Sequence, residues 1–335
     1  MELKEVSMPT RETYYLKHIQ RVRFDVPVFC EPLSVFLCPR SDAYGQVRTT
    51  RLDVSPAPAS VRTTTDLAGN VGWHVTFRDL TLSLTVSATS VVERHSVEQS
   101  KWREDITSWG QLESHDRLAR AYLDHRHVSE AARHEGSILH NQLTRGAEGT
   151  TPLRFLRSLT EELGQQYSWE RQCVGTAVIR APRSQAAVRG ELPARIAARM
   201  KSLQMSPALS GIGKSVAVNQ DVNGGGDSLH ADEAVRRTID RFTSAARLAN
   251  VPTRVVAGYS LSDEVVESQL KTWAECYLGP AGWIGFDPCS GQVADSRYLA
   301  VTTSSNFDTL RTVAGEFRGT AETPVWSTQI IVRRQ

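Results

Sequence analysis

The stretch that follows the Gly224-Gly225-Gly226 run constrains the fold most strongly. Val235, Ile239, Phe242, Ala246 and Ala249 step by four and three, which draws one apolar stripe down one face of a helix. Asp227 or Ser228 suits its N-cap, and Asp232 and Glu233 favour its positive end. Asn250 and Pro252 end it. Two extended runs follow, Thr253 to Leu261 and Lys271 to Leu278. Gly279-Pro280-Ala281-Gly282 then makes a turn, and Trp283 to Asp287 returns as the paired strand. A helix with a single apolar stripe buries it against that hairpin, so this part predicts an α+β unit.

Residues 12–92 have a different period. The runs Tyr14 to Val28 (interrupted at Pro27), Ser34 to Cys38, Val47 to Val54, Gly72 to Phe77 and Leu80 to Val92 are short and rich in β-branched residues. Asp66-Leu67-Ala68-Gly69-Asn70 supplies turn chemistry, because Gly and Asn tolerate left-handed backbone. Leu82, Leu84 and Val86 sit two apart and predict one shared strand face. The whole predicts an antiparallel β-sandwich.

Between these regions the spacing of Leu118, Ala121 and Tyr122, and more regularly of Leu153, Leu156, Leu159 and Leu163, predicts helices, with Pro152 at a first-turn position. The expected organisation is an N-terminal β domain over 1–95, a helical linker over 96–150 and a core over 151–335. That core carries an insertion at 176–228. Six basic residues face only Glu191 between positions 176 and 204. A loop so long and so basic is a solvated, mobile insertion or a flap that carries positive charge to a pocket.

The chain of 335 residues, 40% hydrophobic, can bury two cores. Lys+Arg 39 against Asp+Glu 37 gives no charge argument for nucleic acid or a membrane surface. No apolar run is long enough for a membrane span and the first residues lack a signal-peptide core, so a cytoplasmic protein is expected. The five cysteines form no CxxC pair, which indicates neither a disulfide framework nor a zinc site. His125 and His127 would face opposite sides of a helix, and Asp227, His230, Asp232 and Glu233 match no metal-binding spacing. No metal or cofactor is expected.

Several motifs in order resemble the bacterial transglutaminase-like superfamily. YYLKHIQRVRFDVPV, FLCPR and DLAGN resemble its N-terminal β domain. NVPTRVVAGY, TWAECYL and GWIGFDPCSG resemble its core, and NFDTLRTVAGEFRG and Thr328 to Val332 the segments after it. The resemblance implies a papain-like, transglutaminase-like α+β core. It also implies a Cys–His–Asp triad in which a helix N-terminus favours the thiolate, His moves the proton and Asp orients His. Counting back from Gly258-Tyr259 puts the cysteine position at or next to Val235, and no cysteine lies between Cys173 and Cys276. The histidine opens an HAW motif, read here as Thr272-Trp273-Ala274. Asp287 remains in GFDP. Losing both nucleophile and base removes several powers of ten in rate, so standard thiol acyl transfer or proteolysis is not expected.

Three readings follow. The first is a pseudoenzyme that binds a peptide, protein or small molecule in the old cleft. The second is a repurposed enzyme, expected in bacterial specialised metabolism, that uses non-thiol acid–base chemistry. Asp287, His230, Glu233, Arg236 and Tyr259 are its candidates, with Trp273 and Trp283 lining the cleft. The third keeps cysteine chemistry through Cys289 or Cys276.

Overall fold

The computed structural model describes residues 11–95, 108–112, 121–126, 128–145, 150–179, 215–217, 229–261, 266–321 and 324–335. Most of the expected insertion at 176–228, with its predicted mobility, lies outside the described residues, as do 113–120 and His127.

The N-terminal region contains β1 (Arg11–Cys30), β2 (Leu33–Val35), β3 (Gly45–Ser55), β4 (Ser60–Thr65), β5 (Val71–Thr76) and β6 (Leu80–His95). β1 is long enough to serve several partners. One edge pairs with β6, and that ladder breaks between Arg23 and Val28. Pro27, which has no N–H to donate, falls inside the break. Leu84 and Val86 are buried as their spacing predicts, but Leu82 is exposed. It lies on β6 opposite the broken stretch, where β1 offers it no regular neighbour. β4 was not foreseen, because SVRTTT is a polar edge strand without apolar alternation.

The helices are α1 (Trp109–Leu112), α2 (Glu130–Thr144), α3 (Pro152–Ile179) and α4 (Leu229–Leu248), with a short β7 (Ser215–Ala217) before α4. Leu153, Leu156, Leu159 and Leu163 are fully buried on α3, and Ile239, Phe242 and Ala246 on α4. Burying each of these leucine, isoleucine and phenylalanine side chains stabilises the fold by roughly 1.5–3 kcal/mol. α4 ends at Asn250, which takes a left-handed conformation with φ 59°. α2 starts at Ser129, whose Oγ accepts from the Ala132 N–H at 3.2 Å.

After α4 come β8 (Thr253–Ser260), β9 (Val266–Ser268), β10 (Lys271–Tyr277), β11 (Trp283–Asp287), β12 (Gln292–Val293) and β13 (Tyr298–Ser304). They form a five-stranded sheet in the order β12-β11-β10-β8-β13, with β9 outside it. Its described pairs are all antiparallel. α4 packs on one face of this sheet. The last strands, β14 (Val313–Ala314), β15 (Glu316–Arg318) and β16 (Val325–Arg334), turn back. β14 joins β2, β5 and β4 in a second sheet, while β15 and β16 pair with β1. The two N-terminal sheets enclose Val22, Val28, Leu33, Val35, Val75 and Leu84. The architecture is α+β, a sandwich beside a helix-backed sheet.

Candidate functional site

Strand parity decides which core residues meet. Thr272 pairs with Ala257 and Ala274 with Val255, so these side chains share the face that α4 covers. Lys271 pairs with Gly258 and Trp273 with Val256, on the opposite face. A Cβ at Gly258 would lie 2.5 Å from the Trp273 ring and 2.2 Å from the Leu299 carbonyl oxygen, so only glycine fits there. Tyr298, from β13, packs edge-on against Trp273 with ring centroids 5.4 Å apart.

Asp287 ends β11 beside these residues and is fully buried. Its Oδ2 accepts from Lys271 Nζ at 2.6 Å and from the Tyr298 hydroxyl at 2.8 Å. Its Oδ1 accepts from the backbone N–H of Cys289 at 3.1 Å and of Ser290 at 3.2 Å. Lys271 also donates to the Tyr298 hydroxyl at 2.9 Å. Four donors thus occupy the carboxylate's acceptor sites. The 288–291 turn that delivers two of them sits against α3, where Gly164 and Gly291 approach so closely that a Cβ on Gly164 would lie 2.4 Å from the Gly291 Cα.

Burial pushes the Lys271 ammonium down, but the Asp287 charge and the hydrogen bonds to Asp287 and Tyr298 outweigh it and hold it above its ordinary value. Burial, and then the Asp287 charge, push the Tyr298 hydroxyl up. At neutral pH the lysine is charged and the tyrosine neutral. Lys271 keeps a third of its side chain exposed and has one ammonium proton beyond the two it gives to Asp287 and Tyr298.

Lys271 is the residue that sequence reasoning missed. Thr272 is buried on the α4 face, and the residue that reaches Asp287 is its predecessor. Moving the HAW motif by one, so that its tryptophan falls on Trp273, puts the histidine position on Lys271. That match was available in the sequence. Tyr298 carried no sequence signal, because β13 reaches the site only through the sheet.

The other candidates scatter. Val235 is half-buried and packs on the apolar cluster under α4. Arg236 bonds Asp308 at 2.6 Å, and Arg237 bonds Glu135 at 2.9 Å. Glu233 is exposed, and His230 stands on the first turn of α4 with its side chain outside the described residues. Tyr259 is buried with its hydroxyl 3.0 Å from His18 Nδ1 on β1, and burial raises its pKa far above normal. It does not join Asp287. Trp283 opens β11, four residues from Asp287 or roughly 13 Å along the strand. Cys276 is fully buried, and burial pushes its thiol up to about 12. Cys289 is half-buried in the turn that holds Asp287. Among the described residues no three His, Cys, Asp or Glu side chains gather as a metal site, and no helix is long and apolar enough to cross a membrane.

Residues 14–93 match the bacterial transglutaminase-like N-terminal region, and residues 239–288 match the transglutaminase-like superfamily core. The second match spans Lys271 and Asp287 and begins after Val235. A crystal structure described as a "Putative Cysteine Protease" from Cytophaga hutchinsonii superposes with a TM-score of 0.53 at 11% identity, over 98% of this chain and 100% of that one. At that identity the likeness is one of fold. Comparison with the curated proteins gives no match.

Proposed function

We propose that this chain uses a transglutaminase-like core to bind a peptide, protein or small molecule in the cleft at Lys271 and Asp287, without thiol acyl transfer. The observation that carries this reading is the occupied carboxylate of Asp287. A triad aspartate must accept from an imidazole, and here its four acceptor sites are filled by Lys271, Tyr298 and two backbone N–H groups. A lysine held protonated cannot take a proton from a nucleophile. Val235 offers no nucleophile, and the buried Cys276 thiol stays protonated at neutral pH.

One observation favours the repurposed-enzyme reading. The partly exposed Lys271 ammonium is a general acid or an electrostatic clamp for an acceptor atom placed above it. Tyr259, committed to His18, drops out of that mechanism, and Cys276, sealed in the core, is poorly placed for the cysteine reading.

The test is direct. The wild-type protein is incubated with a glutamine peptide and a fluorescent primary amine, with and without iodoacetamide. No amine incorporation is expected in either case. Incorporation that alkylation abolishes would overturn the reading in favour of cysteine chemistry at Cys289.

A further inference from the structure

A cavity of about 500 Å³ lies on the core sheet away from Asp287. Three parts of the chain meet around it: the Leu67–Gly69 turn of the N-terminal region, Tyr122 of the linker, and Arg254, Tyr277 and Trp283 of the core. Cavities of this size at such junctions are where small ligands bind. The turn is pinned to the core by the buried Asn70, whose side chain donates to the Thr303 carbonyl at 2.8 Å and accepts from the Thr303 N–H at 2.8 Å.

The walls are flat and apolar. The Tyr122 and Trp283 rings meet edge-on with centroids 5.1 Å apart, and Tyr277 stands 5.4 Å from Trp283. Leu67 is fully exposed at the rim. An apolar side chain with nothing against it, above an aromatic wall, is poised to cover an apolar guest.

The floor carries an arginine. Arg254 lies 4.0 Å over the Trp283 ring, and its Nε and Nη2 donate to Glu275 Oε2 at 2.8 and 2.6 Å. Its Nη1 makes no hydrogen bond among the described residues. Arg40 is close by: burial pushes its guanidinium down and the Arg254 charge pushes it further. Glu275 is engaged by Arg254. Asp66, whose charge also reaches Arg40, accepts from the Ala68 N–H and from the Asn70 N–H and side chain. Arg40 itself donates to Thr303 Oγ1 at 3.0 Å and makes no ion pair among the described residues. Glu275 and Asp66 balance the two guanidiniums, so what the floor offers a guest is the Nη1 edge of Arg254 rather than a net charge.

We infer that this cavity binds a small aromatic carboxylic acid, with its ring against Tyr122 and Trp283 and its carboxylate on the open edge of Arg254. This site is separate from the Asp287 cleft, and its occupancy does not depend on what the cleft does.

Phenylacetate is the probe, with phenylacetamide and 2-phenylethylamine as its neutral and cationic counterparts, titrated by calorimetry and ligand-observed NMR. An acid of this size should bind with a Kd of about 1 mM or below. The amide should bind roughly tenfold more weakly and the amine not measurably. Tyr122→Ala should weaken phenylacetate at least about fivefold by removing one ring contact. Leu67 is fully exposed, so charge changes there leave the fold intact: Leu67→Glu should weaken binding and Leu67→Lys strengthen it, both effects fading in salt. No binding of phenylacetate at about 10 mM, equal binding of acid and amide, or indifference to both Tyr122→Ala and the Leu67 charge swap would each overturn the inference.

Discussion

Two of the buried polar groups among the described residues are built in opposite ways. Around Asp287 every acceptor site of a fully buried carboxylate is filled, by Lys271, Tyr298 and two backbone N–H groups. On β1, His18 against Tyr259 of β8 and Gln20 against Thr312 are also buried, but His18 Nε2 and Gln20 Oε1 have no partner among the described residues. The first cluster holds its charges by pairing them. The second tolerates no charge, because burial pushes the His18 imidazole down to about 3. A completed network keeps an ion pair inside a core; an incomplete one keeps its members neutral.

The largest expected effect comes from breaking the completed network. Asp287→Asn preserves shape and leaves the Lys271 ammonium without its counter-ion. Removing one member of a buried pair costs about 3–5 kcal/mol. Urea unfolding at pH 7 measures it. Lys271→Met added to Asp287→Asn should recover a substantial part, since no stranded charge remains. A single mutant as stable as the wild type would show that the pair contributes nothing to the fold. If Asp287→Asn also binds ligand normally, the cleft is not in use.

A smaller effect, graded with pH, belongs to the incomplete cluster. His18 binds no proton in the fold until pH falls to about 3, whereas the unfolded chain protonates it near 6.5. Below 6.5 the unfolded state therefore holds more protons. This contribution is fully present above pH 6.5 and is lost as pH falls, by up to about 1.4 kcal/mol per unit. His18→Leu should abolish that slope. An unchanged slope between pH 7 and 4.5 would mean that His18 accepts a proton inside the fold.

Asp240 gives the smallest effect and the opposite sign. Burial lifts its carboxyl to about 6, although Arg236 lies 3.7 Å away and pulls it down. The folded state then holds the extra proton between the ordinary carboxylate range and pH 6. Stability from this group is present at low pH and declines as pH rises through that window. Asp240→Asn should be more stable than wild type at pH 7, by an amount on the order of 1–3 kcal/mol. The gain should vanish near pH 4. A difference between the two proteins that does not change with pH would show that Asp240 titrates normally.

The triad comparison can be sharpened in the same spirit. Val235→Cys with Lys271→His puts a thiol at the position counted from the motif and an imidazole at the residue that reaches Asp287. Val235→Cys with Thr272→His puts the imidazole on the opposite strand face. We expect neither to turn over a glutamine peptide efficiently. Arg236 and Arg237 follow the restored thiol, and Tyr298 still competes for Asp287. Any trace of activity should appear in the Lys271 variant alone.

Legibility followed the range of the interactions. The α4 stripe, the left-handed Asn250 and the Gly279–Gly282 turn are local facts, written in spacing and in residues that permit one backbone conformation. Leu82 looked like its neighbours Leu84 and Val86, and only the broken ladder in a distant segment of β1 exposed it. Ser60–Thr65 became a strand without apolar alternation, because β5 was there to pair with it. Asp287 was legible as the retained carboxylate of the resemblance, while its partner was read one residue too late.

By itself the sequence determined the α+β class, the order of helix, strand and hairpin, and the lack of a cysteine at Val235. It also determined that Asp287 would need a partner, since a buried carboxylate cannot go unpaired. The identity of that partner was decided by tertiary structure. A shift of one residue along β10 moves a side chain to the other face of the sheet, so register alone set Lys271 beside Asp287 and Thr272 under α4. Tyr298 came from a strand on the far side of β8, and the turn at 288–291 was set by its contact with α3. Those are contacts between segments far apart in the chain, and local spacing carries no record of them.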